Sequence, residues 1–141
     1  EDKVAQISPF EVDHQPVEPA YGYKIQFNKE GKDKKIVISG DTRKSKTLIE
    51  ESFEADALIH EVFVGLDFDQ NRMTKQTIDN VGDYHTFPKE VGEVAKEAKV
   101  KKLILTHFVP PVFDEEKLKT EVGEVYKGDI VIGKDLLSIE V

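Results

Sequence analysis

The chain has 141 residues, 38% hydrophobic and 34% charged, with a formal net charge of −8 and no cysteine. That length suits one domain with a real core, or half of a larger one. The composition excludes disulfides, thiolate metal sites and a cysteine nucleophile, and the acidic balance weighs against a broad nucleic-acid surface, whose affinity follows the number of phosphates neutralised. Lysines are interleaved with acids throughout, which leaves room for a local basic patch such as Lys29 to Lys35. No apolar run approaches a membrane span, and no signal peptide or lipidation motif is visible. Zero cysteine fits a reducing cytoplasm, and Glu1 in place of an initiating Met implies a processed or cut N-terminus.

Val4 to Val12 reads as a strand broken at Pro9 and ending at Asp13-His14. A Pro-rich connection from Gln15 to Ala20 is too stiff for a helix. Tyr21 to Phe27 alternates with period two, a strand, and Asn28 to Lys34 is a solvated hairpin turn. Ile36-Val37-Ile38-Ser39 is an apolar strand, expected to be buried on both faces, that runs into Gly40-Asp41-Thr42. It places Asp41 at the strand's C-terminal edge, where open α/β folds hold their ligands.

A short helix is expected between Thr42 and Ala55, with Ser45 as N-cap and Leu48, Ile49 and Phe53 facing inward. Ala57 to Val62 is a further apolar strand that ends in His60-Glu61. Gly65 to Asp83 shows no periodicity and reads as a mobile loop. Pro88 suits a first helical position, and Val91, Val94, Ala95 and Ala98 recur at helical spacing, so Pro88 to Lys99 is an amphipathic helix with Thr86 as a substitute cap. Lys101 to Thr106 is a strand that delivers His107. Asp114 to Tyr126 is a helix with Leu118, Val122 and Val125 inward, and strands Asp129 to Ile132 and Leu136 to Val141 close the chain about Gly133.

All four histidines thus fall at strand-to-loop junctions: His14, His60, His85 and His107, with Asp41 at the central strand. Any one of them alone would more often be a hydrogen-bonded structural residue. Together, imidazoles and a carboxylate without cysteine suit a catalytic rather than a structural zinc site, and a carboxylate can bridge two cations.

These stretches resemble the metallo-β-lactamase-fold hydrolases, closest to the ribonuclease Z-like branch and its arylsulfatase-like relatives. The matching segments are Phe10 to His14 with Tyr21 to Lys24, Ile38 to Arg43, Ala55 to Glu61, Tyr84-His85-Thr86 and Leu105 to Phe108. The resemblance implies an α/β fold, the C-terminal half of a four-layer αββα sandwich over residues 1–141, with a mixed sheet and helices on its outer face. It implies His14 as a ligand of one metal, Asp41 as the bridging carboxylate and His107 as a ligand of the second. The metals would be two zinc ions in the intact protein, with manganese or iron as alternatives. His85 would lie over them and assist the leaving group, and Glu61 would orient His85. His60 and Thr42 would stand behind the ligands.

Two departures accompany the resemblance. The family's His-x-His-x-Asp-His motif has no counterpart in this sequence, so the chain alone is expected to be inactive and to hold metal weakly or not at all. Ribonuclease Z proteins also insert a tRNA-clamping arm where this chain has only Asn28 to Lys34, which favours a phosphodiester, sulfate or other small ester as substrate. The uncovered face of a half-sandwich predicts an oligomer or association with the missing half. The competing expectations are a non-catalytic binding or scaffold domain of the same fold, and a ribonuclease Z-like RNA endonuclease reached through lysines.

Overall fold

The computed structural model describes residues 5–65 and 73–141; Val4 and residues 66–72, within the 65–83 segment read as a loop, lie outside the described residues. The elements are β1 (Gln6–Glu11), β2 (Tyr21–Lys29), β3 (Lys32–Ile38), α1 (Lys46–Glu51), β4 (Ala57–Phe63), α2 (Lys75–Gly82), α3 (Pro88–Glu97), β5 (Lys102–Val109), α4 (Glu115–Val125) and β6 (Asp129–Ile132). They form one mixed sheet in the order β1-β2-β3-β4-β5-β6. β1, β2 and β3 pair antiparallel, and β3, β4, β5 and β6 pair parallel. The directions matter for function. Because β2 alone runs backwards, β1, β3, β4 and β5 all end at one edge of the sheet.

The hairpin between β2 and β3 is tighter than the sequence suggests. Glu30 and Gly31 carry φ values of 53° and 79°, and this pair suffices as a two-residue turn whose twist matches the strands. The side-chain oxygen of Asn28 accepts the Gly31 N–H at 2.9 Å. Pro9 does not break β1. It pairs with Tyr23 on the outermost strand, where a missing N–H can face away from the sheet.

Helices cover one face. Val37, Leu58, Val62, Leu103 and Leu105 from the strands share a cluster with Leu48 of α1, Val91, Val94, Ala95 and Ala98 of α3 and Leu118 and Val122 of α4. β3 is therefore buried on one face only: Val37 is fully buried, while Ile36 and Ile38 on the opposite face are half-buried. Ser45 caps α1 as expected, accepting the Leu48 N–H. Phe53 does not face inward. The helix has already ended at Glu51, and its ring is 43% exposed with the Lys99 ammonium 5.4 Å from its centre.

Three further expectations change. Part of the 65–83 segment is α2, N-capped by the Thr74 hydroxyl, which accepts the Thr77 N–H. At α3 the N-cap is Phe87 rather than Thr86, and the Glu90 carboxylate accepts the Phe87 N–H at 3.0 Å. Residues 136–141 form no strand: after β6 the Gly133 N–H still donates to Leu105 at 2.8 Å, but the chain then turns with Leu136 at φ 62°. No helix among the described residues is long and apolar enough to cross a membrane.

The edge away from the histidines is fastened by Asp56. Its carboxylate accepts the Lys35 N–H at 2.9 Å and the ammonium groups of Lys101 and Lys34 at 2.9 and 3.3 Å, tying the approaches to β3, β4 and β5 together. Burial raises the pKa of this carboxyl, but the Lys101, Lys35 and Lys34 bonds outweigh it and bring the value to about 2. The native value lies below the unfolded one, so the stabilisation is complete above about pH 4 and lost as pH falls toward 2. Asp56→Asn should therefore destabilise the neutral protein by about 2 kcal/mol, an effect that urea unfolding at pH 7 would show and that should vanish near pH 2.

Candidate active site at the strand ends

The shared edge collects the residues that the sequence singles out. β1 runs out to His14, β3 to Asp41 and Thr42, β4 to Glu61, and β5 to His107, while His85 arrives on the segment between α2 and α3. Only glycine serves before Asp41: Gly40 has φ +63°, and a Cβ there would strike the Tyr21 carbonyl of the neighbouring strand. Asp41 is thereby delivered at a bend, 43% exposed, with a carboxylate oxygen 3.4 Å from His107 Nε2.

His107 owes its position to an irregularity. Glu61 pairs with Thr106 and Val62 with Phe108, so His107 is the extra residue of a bulge and has φ 42°. Bulges re-aim a side chain, and a non-glycine residue at positive φ is held there by its surroundings. In a regular strand the alternation would send His107 to the side opposite Thr106. Instead its ring centre is 5.9 Å from that of His85.

His85 is the centre of the cluster. Its ring lies 5.1 Å from the His14 ring and is stacked at 6.1 Å on Phe63. Its Nδ1 faces the Glu61 carboxylate at 3.0 Å. The same oxygen, Oε1, also accepts the backbone N–H groups of Thr42 at 3.1 Å and Thr86 at 3.2 Å. Glu61 is 1% exposed, and Oε2 has no hydrogen-bond partner among the described residues. Burial pushes its carboxyl up, partly countered by the bond to His85. Thr42 thus touches the site through its backbone, and its carbonyl accepts the Thr86 hydroxyl at 2.5 Å. One carboxylate on β4 ties the end of β3 to the segment between α2 and α3.

His14 is buried and its Nδ1 faces the Tyr84 carbonyl at 2.8 Å. A carbonyl can only accept, so Nδ1 carries the proton and Nε2 presents a lone pair, the tautomer a metal ligand requires. His60 stands apart. It follows the alternation of Leu58 and Val62, so it points into the core beneath the helices, fully buried, while Glu61 turns to the site. Its Nδ1 donates to the Glu61 carbonyl at 2.7 Å, and Nε2 lacks a partner among the described residues.

The Tyr84 carbonyl, the Thr86 N–H and the Phe63 ring are site features that sequence reading did not single out. The first two lie in the Tyr84-His85-Thr86 motif, but their backbone roles leave no mark in residue type. Phe63 continues β4 and has no signal of its own.

No three His, Cys, Asp or Glu side chains among the described residues are arranged to hold one metal ion. The donor chemistry fits a zinc-type cation all the same: a free Nε2 on His14, and exposed donors on Asp41 and His107. The number does not, since a catalytic zinc takes about three protein ligands of its own. These residues fit a share of a metal site.

No family model matches the chain. Ribonuclease Z from Mycobacterium tuberculosis is 32% identical over 131 residues, 92% of this chain and 46% of that protein. Ribonuclease Z from Mycobacterium marinum is 31% identical over the same number of residues, 92% and 45% of the two chains. Among solved structures, the metallo-β-lactamase fold protein YhfI from Bacillus subtilis superimposes with a TM-score of 0.67 at 25% identity, covering 94% of this chain and 50% of that one. The short form of human tRNase Z gives 0.60 at 24% identity, over 100% and 45%, a likeness of fold. The chain spans about half the length of the curated relatives it matches. It is a metallo-β-lactamase-fold chain whose sequence aligns with the ribonuclease Z-like branch.

Proposed function

We propose that this chain supplies part of the active site of a metal-dependent hydrolase acting on a phosphodiester or a related small ester. The observation that carries the reading is the convergence of His14, Asp41, Glu61, His85 and His107 at one sheet edge. His14 and His107 would each ligate one divalent cation, zinc by donor type with manganese or iron as alternatives, and Asp41 would bridge the two. Bound there, such ions polarise the substrate oxygen and supply hydroxide near neutral pH.

The chain's own residues account for the rest. With Nδ1 held by Glu61, His85 presents Nε2 to the substrate side, and as an imidazolium it donates that proton to the departing oxygen. Glu61 fixes the orientation of the ring through Nδ1; it is a positioning residue. Phe63 stacked behind the ring keeps water from that side.

The ribonuclease Z names of the curated relatives favour RNA as a second reading. Against it, the interval where a tRNA-clamping arm would be inserted is the turn Glu30-Gly31. The nearby lysines are also engaged: Lys34 with Asp56, and Lys35 with the Phe53 carbonyl. Salt-dependent RNA binding would favour the RNA reading; its absence favours the smaller substrate. The cysteine-free sequence suits a cytoplasmic setting.

Elemental analysis of the chelator-free protein tests the metal reading. The expected result is well under one zinc per isolated chain and no turnover of a chromogenic phosphodiester, with metal retained only when further ligands are supplied by association. Wild-type-like hydrolysis by the isolated chain would overturn the shared-site reading. Zero metal in every assembled form would overturn the hydrolase itself.

A further inference from the structure

His14 stands beyond the ladder of its own strand. β1 ends at Glu11, and the last sheet-like bond after it runs from the Val12 N–H to the Ala20 carbonyl at 3.0 Å. The bond from His14 Nδ1 to the Tyr84 carbonyl is kept only if the backbone of Asp13, His14 and Gln15 stays in place. Much of that hold comes from one residue on the segment after β3. The Arg43 N–H donates to the Asp13 carbonyl at 2.7 Å, Nη1 to the Asp13 carboxylate at 2.7 Å and Nη2 to the Gln15 carbonyl at 3.2 Å. The Thr42 hydroxyl adds a longer bond to the Asp13 carbonyl, at 3.3 Å. Arg43 thus grips the chain on both sides of His14. Its own segment is anchored in turn: Lys44 donates to Glu93 and Glu97 of the α3 helix at 2.9 and 2.8 Å, and the Thr42 carbonyl accepts the Thr86 hydroxyl.

We infer that the Arg43 guanidinium is a positioning group that sets where His14 stands relative to Asp41, two residues before the arginine. The inference rests on the reading of His14 and Asp41 as ligands and names the side chain that fixes their separation. Two other roles fit the surroundings less well. As a plain ion pair it would do little, since the side chains of Arg43 and Asp13 are 34% and 50% exposed and such pairs add little to stability. A contact with a substrate phosphate meets the wrong charge: the guanidinium shares its hollow with Glu11, Asp13 and Glu18, which repel an anion. The planar fork suits bracing instead. One guanidinium holds a carboxylate and a carbonyl two residues apart, a geometry that a compact ammonium does not reproduce. Groups that hold a metal-ligating histidine in place are typically worth about 10–100-fold in metal affinity.

Long-range proton–nitrogen NMR of the metal-free 141-residue chain tests this at about pH 8, where an ordinary imidazole is neutral and its tautomer can be read. Wild-type His14 is expected as a single tautomer, protonated on Nδ1. Arg43→Ala keeps the backbone N–H, so the loss it reads is that of the guanidinium. It should give His14 mixed tautomers, leave His60 as a single tautomer and move the urea midpoint little. Asp13→Asn retains an accepting oxygen for Nη1 and should keep the wild-type His14 tautomer. A single Nδ1-protonated His14 in Arg43→Ala, or mixed tautomers already in the wild type, would overturn the inference. So would the loss of a single tautomer at His14 and His60 together, the mark of a general fold defect. In the assembled protein, zinc affinity should weaken about tenfold in Arg43→Ala, and an unchanged affinity would overturn the inference as well. The tautomer is read without metal, so failure of every assembled form to take up zinc would overturn the hydrolase reading and leave the brace standing; the two fail separately.

Discussion

Glu61→Ala is expected to destabilise the chain by about 4 kcal/mol, while Glu61→Gln should lose only about 1 kcal/mol. The difference follows from the single oxygen that accepts from Thr42 N–H, Thr86 N–H and His85 Nδ1. Truncation leaves three buried donors without a partner, each worth about 1–3 kcal/mol, offset in part by relief from burying a carboxyl. Glutamine keeps the accepting oxygen and changes only the position of Oε2, which has no partner among the described residues. Urea unfolding of the three proteins checks this, with a common m-value as the sign that only stability has moved. A loss under about 1 kcal/mol for the alanine variant would show that the strand-end segments are held by something else. In the assembled protein the same pair of variants separates bracing from chemistry: Glu61→Gln keeps the fold but replaces the carboxylate that faces His85 Nδ1, so turnover should fall while stability changes little.

The elements that carry the core were legible because their patterns are strong. β4 is apolar on either side of His60-Glu61 and buried except for half-buried Ile59, and α3 repeats Val91, Val94, Ala95 and Ala98 at helical spacing behind a proline. α2 escaped because it is eight residues long and has only Ile78 and Val81 as apolar markers, too few to show a period. The Leu136 to Val141 segment misled in the opposite way. It alternates like a strand, but alternation does not supply a neighbouring strand with free hydrogen-bonding groups, and this one turns away at Leu136.

The site divides along the same line. Strand-end positions for His14, Asp41 and His107 could be read because edges of parallel strands are set by sequence pattern and direction. The bulge that turns His107 into the cluster could not, since one extra residue in β5 has no compositional mark. His60 and Glu61 show how little separates a core residue from a site residue. They are adjacent in a strand, so they must face opposite sides, and the period-two rule alone sends one of them to the helices. Sequence reading left His60 near the site; the alternation of Leu58, His60 and Val62 places it in the core.

That placement makes His60 an acid-labile point in the core. Burial pushes its pKa from 6.5 down to about 4, against the pull of the bond to the Glu61 carbonyl. Above pH 6.5 neither state is protonated there and stability is independent of this group. Between 6.5 and 4 the unfolded chain binds a proton that the native one refuses, so stability falls as pH falls, by about 3 kcal/mol across the window. Glu61 works in the opposite sense, since its raised native pKa makes the folded state bind the proton first. Asp56 takes over only below about pH 4. The contribution of His60 therefore appears as a difference: unfolding free energy at pH 7 minus that at pH 4.5, wild type against His60→Leu. The wild type should lose roughly 2–3 kcal/mol more than the variant, and His60→Gln should behave like the leucine variant if lost titration rather than altered packing is the cause. Parallel curves for all three would mean that the imidazole gains a partner on protonation, and that Nε2 is not isolated in the core.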